Sequence, residues 1–130
     1  MKDEEGPSDL RARTKAYALR VIRLFGALPR TTEAQVLGKQ LLRSGTSAGA
    51  HYREAHRARS TSEFISKCET ALQELDESAY WLELLADSGI ITPDRLKPLS
   101  QETSELIAIF TTIVKKAKTA KQQNSKTELE

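Results

Sequence analysis

Aromatic residues make up only 5% of this 130-residue chain, which also holds a single cysteine, four prolines and six glycines. That scarcity argues against a β-sandwich or barrel, whose many tight turns draw on glycine and proline and whose strands draw on aromatics. The lone Cys68 has no partner for an internal disulfide. It falls in an apolar register, where a small buried hydrophobe is expected rather than a reactive thiol. No N-terminal apolar run of signal-peptide type is present, and no apolar stretch approaches the ~20 residues of a membrane span. A cytoplasmic protein without membrane contact is therefore expected. A large excess of one charge is also lacking: 20 Lys and Arg stand against 18 Asp and Glu, a net +2.

What is present is helical rhythm. Residues 1–8 are polar and expected to form a flexible N-terminus. A first helix is predicted from about Ser8 to Leu28, with Tyr17, Val21, Leu24, Phe25 and Leu28 on one stripe and Pro29 closing it. Thr31 or Thr32 caps a second helix that is predicted to reach Arg59. Its inward row is read as Leu37, Leu41, Ser44, Ala48, His51, Ala55 and Ala58. Gly45 and Gly49 each cost about 1 kcal/mol against alanine inside a helix, so a neighbouring helix is expected to pass close there. Ser60 and Glu63 form a capping-box pattern for a third helix, which ends at Gly89. Thr92 caps a fourth with Pro93 at its first position, and Pro98 is expected to kink or restart it. Leu99, Leu106, Phe110, Ile113 and Val114 form its apolar face, and residues 121–130 are expected to be a flexible tail. Short connections between long helices predict an all-α, antiparallel up-down-up-down four-helix bundle over residues 9–120.

The unusual stretch is RSGTSAGAHYREAHRARS, residues 43–60, where polar and tiny residues follow the helical register. Antiparallel pairing about a turn near Ser60 sets residues whose numbers sum to about 120 at one height. Arg43 then lies level with Glu77, and Glu54 with Ser66 and Lys67. Arg43 and Glu54 are about 16 Å apart along one helix and cannot pair with each other. The expected arrangement is a structural polar core of Arg43, Ser44, Ser47, His51, Glu54 and Glu77, with a buried or half-buried ion pair between Arg43 and Glu77.

Ser47, His51 and Glu54 have the ingredients of a hydrolytic triad, but they share one helix with no oxyanion hole beside them. His51, Glu54 and His56 do not make a metal site, because the two histidines point about 140° apart around the helix. Gly45 and Gly49 lie within a helix and form no phosphate-cradling loop. No catalytic residues, no metal and no cofactor are expected.

The segment LLRSGTSAGAHYREAHRARSTSEFISKCETALQELDESAYWLELLADSGII resembles the four-helix-bundle proteins encoded within intervening sequences of bacterial 23S rRNA genes. Their second helix carries a pattern like R-S-x-x-S-x-x-x-N-x-x-E, which Arg43, Ser44, Ser47 and Glu54 match. Phe64, Glu77 and Leu82 match the signature of the third helix. The resemblance covers about residues 10–118. His51 stands at the asparagine position; a neutral imidazole also offers one donor and one acceptor, but brings a possible dependence on pH. The resemblance implies a ring, typically a homopentamer. It also implies kinship with the accessory bundle proteins of diversity-generating retroelements, which form pentameric barrels, bind nucleic acid through basic surfaces and contact a reverse transcriptase.

The residues themselves add two expectations. Tyr80 and Trp81 are adjacent, so one must face away from the core and could anchor an oligomer interface. Arg11, Arg13, Arg20, Arg53, Arg57, Arg59, Lys115, Lys116 and Lys118 are candidate contacts to RNA or DNA. The expected function is a non-enzymatic, oligomeric protein that binds nucleic acid or acts as a scaffold. The alternative is a protein-interaction module partnering a neighbouring gene product, such as a reverse transcriptase, without touching nucleic acid.

Overall fold

The structure is a computed structural model that describes residues 7–129. It is all-α, with four helices packed as a bundle: α1 (Pro7–Ala27), α2 (Thr32–Ala55), α3 (Thr61–Asp87) and α4 (Pro93–Leu129). Most of the flexible terminus expected over 1–8 lies outside the described residues; α1 begins at Pro7.

Local chemistry explains the boundaries. Thr31 is extended and its hydroxyl accepts from the Ala34 N–H at 3.3 Å, starting α2. Ser60 starts α3 in the same way, accepting from the Glu63 N–H at 3.1 Å. The return half of the capping box is displaced by one residue, because the Glu63 carboxylate accepts from the Arg59 N–H at 3.0 Å. Gly89 has φ +79°, the left-handed conformation that ends a helix without a Cβ clash.

Two boundaries differ from the sequence reading. The second helix stops at Ala55 rather than Arg59, where the bonds tighten: the Arg57 N–H reaches the Glu54 carbonyl and the Ala58 N–H that of Ala55. This turn lets the chain reverse into the Ser60 cap while the His56 ring stands edge-on to Tyr52, 4.6 Å between centroids. The fourth helix runs through Pro98 and on to Leu129, past the expected end near Ala120. Proline removes one helical bond close to the helix start, and buried Leu96 and Leu99 anchor the chain on either side of it.

The core is a column of aliphatic residues with three aromatics among them. Leu10, Tyr17 and Val21 come from α1; Leu41, Ala48 and Tyr52 from α2; Cys68, Leu75, Leu82 and Leu85 from α3; Leu106 and Phe110 from α4. Tyr52 packs edge-on to Phe110 at 5.5 Å between centroids. Backbones pack closely between α1 and α2, α2 and α3, and α3 and α4, and more sparsely between α1 and α4; α1 and α3 approach each other through side chains in the core. Residue pairs link the two middle helices: Arg43 of α2 meets Glu77 of α3, and Glu54 of α2 meets Lys67 of α3.

The glycines of α2 sit where α1 passes closest. A Cβ on Gly45 would lie 2.9 Å from Val21 Cγ2, and one on Gly49 would lie 3.1 Å from Thr14 Oγ1. Gly38 belongs to the same row, its missing Cβ site 2.5 Å from Leu28 Cδ1. The expected close approach is thus made by α1.

Candidate functional site: a polar seam and a cationic end

Of the six residues expected in a polar core, only Ser44 is fully buried. Its hydroxyl meets that of Ser78 at 2.7 Å. The Ser78 hydroxyl also lies 2.9 Å from the Glu74 carbonyl and the Ser44 hydroxyl 3.4 Å from that of Leu41, so either serine can donate to the other and keep an acceptor for the second proton. At a similar height the Tyr17 hydroxyl meets Thr103 at 2.6 Å, and Thr103 donates to the Leu99 carbonyl at 2.8 Å. Each helix therefore contributes a hydroxyl at this level, and all four residues are buried. Burial raises the Tyr17 phenol above its ordinary range, an effect that the bond to Thr103 partly offsets. This hydroxyl layer is the true polar core. Tyr17, Ser78 and Thr103 carried no polar signal in the sequence, because each sits alone in an ordinary helical register.

The other five residues lie at the rim between α2 and α3. Arg43 donates to Glu77 at 2.7 Å and to Glu74 at 3.2 Å. The pair with Glu77 forms as the register implies, but about half of each side chain is exposed, so it is not a buried pair. Arg43 and Glu77 both lie on the outer half of their helices, with Ser44 and Ser78 one residue further on taking the inward direction. Hydrogen bonding to Glu74, then its charge, raises the Arg43 guanidinium above its ordinary value. Ser47 is half-buried and donates back to the Arg43 carbonyl at 2.7 Å. His51 Nδ1 lies 3.3 Å from Glu54, and its Nε2 is 3.9 Å from Glu74. Glu54 also pairs with Lys67 at 3.0 Å. Those bonds, Lys67 first and His51 second, hold the Glu54 carboxylate below its ordinary range. Tyr52, one residue beyond His51, takes the core position assigned to the histidine.

This geometry is a ladder of ion pairs stitching α2 to α3. Ser47 and His51 are not hydrogen-bonded to each other, since the serine proton is engaged by its own helix. Among the described residues, no group of three His, Cys, Asp or Glu side chains is arranged to hold a metal. Burial pushes the Cys68 thiol up to about 11, the setting of a packed, protonated side chain.

The basic residues gather differently. Thr14 lies against Gly49, Glu54 pairs with Lys67, Lys118 with Glu69 at 2.8 Å, and Lys121 bonds to Ser62. These contacts bring the start of α1, the end of α2, the start of α3 and the later part of α4 to one end of the bundle. Arg11, Arg53, Arg57, Arg59, Lys115 and Lys116 are all exposed there, and none has a carboxylate partner among the described residues. A groove of about 290 Å³ between α1 and α2, lined by Lys15, Thr46, Gly49 and Arg53, opens beside them. Three candidate contacts are placed elsewhere or are already engaged. Arg13 donates to both oxygens of Glu102 at 2.9 Å and to Glu105 at 2.6 Å, which raises its guanidinium. Lys118 is engaged by Glu69, and Arg20 is half-buried further along α1. Of the adjacent aromatics, Tyr80 faces outward at 53% exposure, while Trp81 is half-buried against the core.

Fold and surface together define a small all-helical protein with an ion-paired seam between α2 and α3 and a cationic end. The chain belongs to the 23S rRNA-intervening sequence protein family, whose model matches residues 8–112. It is also similar to the crystal structure of a protein of unknown function from the S23 ribosomal protein family of Bacteroides thetaiotaomicron VPI-5482. The two are 35% identical, with a TM-score of 0.79 over 84% of this chain and 97% of that one. No curated protein matches the chain. Among the described residues, no helix is long and apolar enough to cross a membrane.

Proposed function

We propose that this protein is a non-enzymatic scaffold whose four helices alternate in direction and whose copies assemble into a ring, five to the ring, that binds RNA or DNA. The observation that carries the reading is the set of exposed, carboxylate-free cations at one end: Arg11, Arg53, Arg57, Arg59, Lys115 and Lys116. Their guanidinium and ammonium groups suit phosphate, and a net charge of only +2 matters less once they gather at one end. A ring repeats the cationic end in every subunit, so modest electrostatics gain by avidity. The rim chemistry supports a structural role, because Arg43, His51, Glu54 and Glu74 are engaged with one another.

Fluorescence anisotropy with labelled structured RNA and duplex DNA tests this at two salt concentrations. The reading expects binding at low salt that weakens steeply as salt rises. Replacing Arg53, Arg57 and Arg59 with Ala should weaken it at every salt, whereas replacing Arg13 should not. No binding to either probe at low salt overturns the nucleic-acid part of the reading.

A further inference from the structure

The outward faces of α1 and α3 are opposite in charge and each carries an exposed apolar anchor. On α1, Ala12, Lys15, Ala16, Leu19, Ile22 and Arg23 face solvent, with Leu19 43% and Ile22 46% exposed. Lys15 and Arg23 have no carboxylate partner among the described residues, and Asp9 in the first turn is the helix's one acid. On α3, Asp76, Tyr80, Glu83 and Asp87 fall at steps of four, three and four, so they form one stripe. All four are exposed, and none of the three acids is ion-paired among the described residues. Lys67 is the single cation of that helix.

The spacings agree. Lys15 and Arg23 stand eight residues apart, about 12 Å along α1, with Leu19 midway. Asp76 and Glu83 stand seven apart, about 10.5 Å along α3, with Tyr80 between them. Two cations flanking an aliphatic patch thus match two carboxylates flanking an aromatic one. Within one chain these faces cannot meet, because both point to solvent, away from the core where α1 and α3 approach each other. A two-fold contact of α1 on α1 would set Lys15 and Arg23 against their own copies, and α3 on α3 would oppose carboxylates.

We infer that the outward face of α1 on one copy docks against the outward face of α3 on the next, a head-to-tail contact with Leu19 and Ile22 packed on Tyr80. Such a contact uses different surfaces on its two sides, which generates rings when the rotation closes. The inference rests on the ring reading above and names the surfaces that would make it.

Charge reversal followed by light scattering tests it. Lys15→Glu with Arg23→Glu makes both faces acidic, and Asp76→Lys with Glu83→Lys makes both basic. All four positions are exposed, so circular dichroism should show each variant folded. Each double variant is expected to associate at least about a hundredfold more weakly than the native chain, and the chain carrying all four changes to regain the native mass. Double variants that keep the native mass, or a folded quadruple variant that stays dissociated, overturn the inference while leaving assembly itself intact. A native chain that is monomeric throughout removes the ring reading and this inference together.

Discussion

Ser44 Oγ and Ser78 Oγ meet 2.7 Å apart in the centre of the bundle, each fully buried and each on a different helix. With Tyr17 and Thr103 they form a layer in which every proton has an acceptor. A buried hydroxyl without a partner is costly, so the layer favours the one packing that brings the four together. Tyr17→Phe deletes the donor to Thr103 without changing shape. The expected loss is about 1 kcal/mol, read as a lower urea midpoint at unchanged slope.

Helix packing at the glycines gives a second test, with opposite signs at two sites. Gly45→Ala would drive a methyl to 2.9 Å from Val21 Cγ2, whose branched side chain has little freedom to yield. Overpacking costs about 1–3 kcal/mol, against about 1 kcal/mol gained in helix propensity. Gly26 has nothing within 4 Å of the added carbon. Thermal melts should show Gly45→Ala less stable than the native chain and Gly26→Ala more stable.

Alkaline pH should weaken the fold. Burial raises the Cys68 thiol from 9.0 to about 11 and the Tyr52 phenol from 10.0 to about 12. The unfolded chain therefore releases these protons first. Stability from Cys68 is fully present below pH 9 and is lost between 9 and 11; that from Tyr52 is lost between 10 and 12. Urea titrations of the native chain and of Cys68→Ala isolate the thiol's share. The native chain should lose about 2 kcal/mol more than the variant between pH 8 and pH 10.5.

The Arg43–Glu77 pair should matter little to stability. Arg43 and Glu77 are each about half exposed, and solvent screens such pairs. Glu77→Gln should shift the unfolding free energy by less than about 1 kcal/mol. A loss of several kcal/mol in chemical denaturation would mean that the pair is buried in the assembled protein.

The four helices, the Thr31 and Ser60 caps and the left-handed Gly89 were legible because each depends on a few neighbouring residues. The Arg43–Glu77 pair, and the placing of Glu54 level with Lys67, were legible from the position of the turn near Ser60. Which rim residues turned inward was not legible. Tyr52 and His51 are adjacent, and the inward row of α2 is bounded by glycines that carry no hydrophobic signal. The hydroxyl layer was hidden for a related reason: Thr103 and Ser78 become partners only when distant helices are docked. Helical continuity through Pro98 goes with the burial of Leu96 and Leu99, which only the docked helices provide.

The account turns on copies of a 14.5 kDa chain working as one ring. Native mass spectrometry of the untagged protein at micromolar concentration measures this directly. The account predicts a dominant species about five times 14.5 kDa. A single species at 14.5 kDa that persists as concentration rises would contradict it.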